Sequence, residues 1–172
     1  MGNFLRVALL SCFVISCSDG DLQIETIDFD SVTVQSCDSP QPDTSNLLFK
    51  LNTSESLILE LQSGALNNGV VGDTITTESA VPGQSKLTYR IFDDNVSTNY
   101  FCDDVPPVSP IVLDEIEAQD GLVIIETMAN EDSTSFIHTI SLSGVSFVTE
   151  SGERITNLSI NEFGEVTTAV PD

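Results

Sequence analysis

Residues 135–149 read SFIHTISLSGVSFVT. Phe136, Ile140 and Leu142 stand at even positions, and His138 shares their parity. Beyond Gly144 the apolar positions turn odd, at Val145 and Phe147. Alternation with a period of two marks a strand with one buried face, and a change of parity at a glycine predicts a bulge or kink in one long strand. Outward from this stretch, LVIIETM (122–128), RITNLSI (154–160) and EVTTAV (165–170) are further strand-like runs, joined by ANEDST, ESGE and NEFG. The pattern predicts a meander of antiparallel strands on short turns, with ESGE as a hairpin turn.

Towards the amino terminus, DVPPVSP (104–110) is a proline-rich connection that stays outside any central strand. LDEIEAQDG (113–121) carries the acids of a helical first turn but is too short for more than a single turn. NNGVVGD (67–73) and VPG (81–83) punctuate the middle, leaving strands around Ile75 and through Leu87, Tyr89 and Ile91. LLFKLNTSESLILEL (47–61) places Phe49, Leu51, Leu57, Leu59 and Leu61 on one parity, and DSPQPDTSN (38–46) before it is loop. In LQIETIDFDSVTVQS (22–36) the apolar parity shifts twice, which implies bends. Eight or so strands spaced by about ten residues predict an all-β fold, an antiparallel β-sandwich, with a lipocalin-like β-barrel as the alternative. The parity breaks and the proline connection favour a sandwich whose strands change sheets at bends.

The chain has 172 residues, enough for one domain with a core, and a net charge of −22 from 27 acidic and 5 basic side chains. Such a charge repels nucleic-acid phosphates and anionic headgroups, so neither is a partner on electrostatic grounds. The acids are dispersed and 40% of residues are hydrophobic, which speaks against disorder and reads the charge as solubility.

Residues 4–15, FLRVALLSCFVI, form an apolar run too short to span a bilayer core of about 30 Å. With Arg6 as its positive region, it reads as the apolar part of a secretory signal. It ends in Val14-Ile15-Ser16-Cys17, which resembles a bacterial lipobox: a branched apolar residue three before the cysteine and a small residue just before it. Cys12 fits that pattern less well, because cleavage there would shorten the apolar run. The following Ser18-Asp19-Gly20-Asp21 resembles the acidic surface-export signal of flavobacterial and other Bacteroidota lipoproteins. The resemblance implies a signal peptide over 1–16, lipid on Cys17 and an acidic tether over 17–21; the strand pattern then gives a single β-sandwich domain over 22–172. It also implies attachment to the outer membrane through lipid at the cell surface, the periplasm-facing leaflet being the alternative. A five-residue tether reaches at most about 18 Å.

With Cys17 taken as the lipid site, Cys37 and Cys102 remain as an even pair in an oxidising compartment. The expectation is a disulfide, worth roughly 2–4 kcal/mol, with two free thiols as the alternative. No Cys-x-x-Cys occurs, so redox catalysis and structural zinc have no support.

His138 is the sole histidine and reads as a half-buried strand residue bonded to a neighbour rather than as a general base. No Gly-x-Ser-x-Gly elbow is present. The one cation with a physical argument is Ca²⁺, with Asp93, Asp94, Asp103 and Asp104 as loop oxygens, although their spacing is not that of an EF-hand and the expectation is no bound metal and no cofactor. Asn52, Asn95 and Asn157 head Asn-x-Ser triplets that carry no meaning in a bacterial lipoprotein. DSV, DTI and DST resemble short O-glycosylation sites of exported Bacteroidota proteins, with Ser31, Thr74 and Ser133 as acceptors. The functional expectation is a non-enzymatic binding or structural module of unspecified ligand. Alternatives are a ligand carrier with an apolar barrel cavity and a carbohydrate-active enzyme, which needs two carboxylates facing one another in a cleft lined by Tyr or Phe.

Overall fold

A computed structural model of the chain describes residues 26–155 and 157–170. In chain order it contains β1 (Thr26–Asp28), β2 (Gln35–Ser36), β3 (Asn46–Asn52), β4 (Glu55–Leu61), β5 (Ile75–Val81) and β6 (Lys86–Phe92). A single helical turn, α1 (Asn99–Cys102), precedes β7 (Val112–Ala129), β8 (Ser135–Val148), β9 (Arg154–Ile155), β10 (Asn157–Ser159) and β11 (Glu162–Ala169).

β7 belongs to both halves of the molecule. Its residues 112–117 pair with β6 and its residues 121–127 pair with β5, so β5 and β6 lie end to end along one side of it. β8 takes the other side from Ala118 onward. One half runs β2-β3-β4-β6-β7, the other β5-β7-β8-β11 with β9 on the end of β8. The joint between them is a double register shift in β7, between Ala118, Asp120 and Leu122. There Gly121 (φ 144°) lies so close to Val145 that a Cβ would stand 3.0 Å from its Cγ2 and 3.1 Å from its Cα. Gly144 beside it has φ 63°. The parity change at Gly144 is thus a bulge, as its sequence predicts, and the bulge is where the strands pass from one half to the other.

The architecture is an all-β sandwich, antiparallel in its main sheet. The lipocalin-like barrel is overturned: β2 and β11 end the strand path and do not pair with each other, so the sheet is not closed. Aromatic rings pack in the interior. Tyr89, at ring distances of 6.4 Å from Phe29 and 6.3 Å from Phe147, joins Leu48, Leu57, Leu59, Val123, Ile125, Ile140 and Phe163 in one cluster.

Three sequence expectations need correction. The run 47–61 is not one alternating strand but the hairpin β3–β4, turning at Thr53 (φ 56°) and Ser54. A two-residue turn pairs even positions with odd ones, Leu48 with Leu59 and Phe49 with Ile58. Leu48, Leu57, Leu59 and Leu61 therefore face the main core, and Phe49 is buried on the opposite face. Residues 113–121 are strand rather than helical turn, since Ile116 and Ala118 are buried at period two among exposed acids. The carboxy-terminal meander is also interrupted. β10 leaves it to pair in parallel with β1, and Glu162 and Gly164, assigned to a connection, open β11.

Candidate functional site

Of the residues singled out in the sequence, Cys17 and the leader, tether and lipobox around it lie outside the described residues. Among the described residues no helix is long and apolar enough to cross a membrane.

Cys37 and Cys102 form a disulfide with Cα atoms 5.2 Å apart, tying the end of β2 to α1. Cys102 stands in a helical turn, not at a sheet end. The bond holds that turn over the outer face of the first half, where Phe101 stacks on Phe49 at 4.6 Å and Tyr100 meets Phe92 edge-on at 4.9 Å. Thr98 Oγ1 donates to Gln35 Oε1 at 2.7 Å beside it. A small second core results, separate from the one between the two halves.

His138 is fully buried, not half-buried, and is held from both sides. Thr168 Oγ1 donates to Asn68 Oδ1, so it accepts from His138 Nε2 at 2.8 Å; Nδ1 then accepts from Thr127 Oγ1 at 2.8 Å. The neutral Nε2–H tautomer satisfies all three groups. Burial pushes the imidazole pKa down from 6.5 to about 4. The ring bridges β7, β8 and β11 and pins the loop bearing Asn68, whose Nδ2 donates to the Ala169 carbonyl at 3.1 Å. Among the described residues its side chain has no exposed surface.

Lys50 has no counterpart in the sequence expectations. It lies on the core face of β3 and is 1% exposed, with Nζ donating to the carbonyls of Phe29 at 2.6 Å and Glu162 at 2.7 Å. The Phe163 ring stands 5.7 Å from the ammonium. Burial lowers its pKa from 10.5, opposed by the charges of Asp30, Glu162 and Asp28. A lysine set between Phe49 and Leu51 in an apolar strand was the available signal.

The four aspartates do not converge. Asp93 Oδ1 accepts from the Ile111 amide and Asp94 Oδ1 from the Asn95 amide, both at loop positions. The Asp103 amide donates to the Asn99 carbonyl at the end of α1. Among the described residues no group of three or more His, Cys, Asp or Glu is placed to hold a metal ion. Ser31, Thr74 and Ser133 are exposed in connections, as are Asn52 at the end of β3 and Asn95 in a loop.

What the surface offers is a strand edge. A cleft of about 510 Å³ separates Glu115, Glu117 and Gln119 of β7 from Val148, Thr149 and Glu150. Its walls hold carboxylates but neither Tyr nor Phe. In the chain before and at the start of β7, Val105, Val108, Ile111 and Leu113 are between 55% and 95% exposed. No family model matches the chain, and no curated protein or solved structure matches it.

Proposed function

We propose that the chain is a lipid-anchored envelope protein, exposed at the cell surface, that works as a binding or structural module without catalysis. The observation that carries the reading is the Cys37–Cys102 disulfide, since such bonds persist in oxidising compartments outside the cytoplasm. It agrees with the leader and with the lipobox resemblance at Cys17. The sequestered His138 and the aromatic-filled interior support a non-catalytic, non-carrier role. A packed core and one disulfide suit a rigid domain, and its dispersed acidic surface keeps it soluble on a short tether.

The anchor is tested by Cys17→Ser in the full chain, expressed in a bacterium that lipidates such proteins and fed a labelled fatty acid. Loss of label and release into the soluble fraction are expected. A variant that stays labelled and membrane-bound overturns the assignment. Protease treatment of intact cells separates the two leaflets: digestion supports the surface, and protection until lysis gives the periplasm-facing side.

A further inference from the structure

We propose that the open edge of β7 docks an extended, basic segment of a partner protein, which adds to residues 112–117 as a further strand. The inference deepens the reading of the chain as a binding module and rests on it. Along 112–117, β7 bonds to β6 on one side and meets β8 only from Ala118. On the other side, among the described residues, no strand is paired with it.

Backbone groups on that side are met locally. The Glu115 amide donates to Oδ1 of its neighbour Asp114 at 2.8 Å, and Gln119 Nε2 donates to the Glu117 carbonyl at 3.3 Å. Both are exposed side-chain bonds that an incoming strand replaces with aligned ladder bonds. The ladder with β6 shifts register between Val112 and Asp114, leaving Leu113 as an extra residue, so the regular alternation begins at Asp114 and positions 115 and 117 form the row that an added strand reads. The regular run 114–117, at roughly 3.3 Å per residue, gives about 13 Å, the length of a short strand.

Charge and apolarity define the occupant. Glu115, Glu117 and Glu150 line the cleft beside the edge. Arg90 Nε bonds Glu115 at 2.6 Å, and no other ion pair forms at the cleft among the described residues. Ile111 and Leu113, 55% and 63% exposed, add apolar surface at the start of the strand. A segment alternating basic and apolar side chains complements both features, with main-chain bonds supplying affinity and the side chains selection. A second copy of this chain does not, because its own edge is acidic and like charges across a strand pair repel.

The test uses two seven-residue probes, one alternating Lys and Val and one alternating Glu and Val, titrated onto the full chain by fluorescence anisotropy. Glu115→Pro removes an edge donor that β6 does not use, and Glu115→Gln removes the charge but keeps the donor. We expect the Lys-Val probe to bind, about threefold more weakly to Glu115→Gln and at least tenfold more weakly to Glu115→Pro, and the Glu-Val probe not to bind. Independently of any variant, saturation with the Lys-Val probe should slow amide exchange at Glu115 in the wild-type chain. Equal binding of both probes, unchanged binding by Glu115→Pro, or unchanged exchange at Glu115 overturns the proposal. So does a wild-type dimer that Glu115→Pro dissociates, which assigns the edge to a second copy. Failure here leaves membrane attachment through Cys17, measured by lipid labelling, unaffected.

Discussion

Lys50 Nζ donates to the carbonyl of Phe29 at 2.6 Å across 21 residues of sequence, placing an ammonium at the core face of a strand. The Phe29 carbonyl also accepts from the Val32 amide at 3.0 Å. Replacing the lysine therefore does not leave that oxygen without a donor. Loss of two charge-assisted bonds is offset by relief of the desolvation that burial imposes on the charge. Lys50→Met, similar in length, should unfold in urea within about 1 kcal/mol of the wild type at pH 7. The sign of its pH dependence is also fixed. The folded pKa lies below the unfolded 10.5, so between the two the unfolded chain binds more protons and stability rises with pH. Lys50→Met should lose that alkaline rise. A rise that persists unchanged assigns it to other groups.

The His138 network sets a matching window on the acid side. The imidazole is neutral in the fold down to about pH 4, whereas in the unfolded chain it protonates near 6.5. The unfolded state thus binds the extra proton between these values, and stability falls as pH drops through that window and levels below it. The full difference is about 3 kcal/mol, from 1.36 kcal/mol for each pKa unit. His138→Gln retains the carboxylates, so subtracting its urea midpoints from those of the wild type isolates the histidine. A difference that does not change between pH 6.5 and 4 would contradict the buried neutral tautomer.

The disulfide joins residues 65 apart, and chain-entropy reasoning puts its contribution at about 4 kcal/mol before native-state effects. The paired change Cys37→Ser with Cys102→Ser should cost about 2–4 kcal/mol in chemical denaturation. It should also raise the exposure of Tyr100 and Phe101, because α1 then has only its aromatic packing and the Thr98–Gln35 bond to hold it on the sheet. Solvent quenching of tyrosine fluorescence under native conditions reads that change. Unaltered quenching would mean that the aromatic packing alone fixes the turn.

Much of this fold is legible in the sequence where period two meets a glycine. The even parity of Phe136, Ile140 and Leu142 and its reversal after Gly144 report a strand and its bulge directly, because the side-chain period survives on either side of the break. The hairpin at 47–61 is less legible, because a two-residue turn exchanges parity between its arms and no glycine marks it. Acidic residues on an edge strand look like a helix start, and only the burial of Ile116 and Ala118 separates the readings. The Cys37–Cys102 pairing follows from counting cysteines only once the lipobox reading sets Cys12 and Cys17 aside. Lys50 and the open edge depend on which strands adjoin, and pairing between segments far apart in the chain leaves no periodic trace in either one.

The joint of the sandwich gives the last prediction. Gly121 and Gly144 both have positive φ, but their surroundings differ. A Cβ at Gly144 meets nothing within 4 Å, so Gly144→Ala carries only the backbone penalty, about 1 kcal/mol. A Cβ at Gly121 runs into Val145, whose Cα would lie 3.1 Å away, and backbone cannot rotate aside as a side-chain end can. Gly121→Ala should therefore add overpacking to strain and cost about 2–4 kcal/mol. Val145→Ala combined with Gly121→Ala removes the clash with Cγ2 at 3.0 Å but leaves the crowding against the Val145 backbone, so rescue should be partial. Thermal unfolding of the three variants ranks them. If Gly144→Ala proves the more damaging, the bulge rather than the close approach of β7 and β8 holds the two halves at their angle. If Gly121→Ala proves the more damaging, the fit against Val145 is what allows one strand to serve both halves, and the edge at 112–117 inherits its position from it.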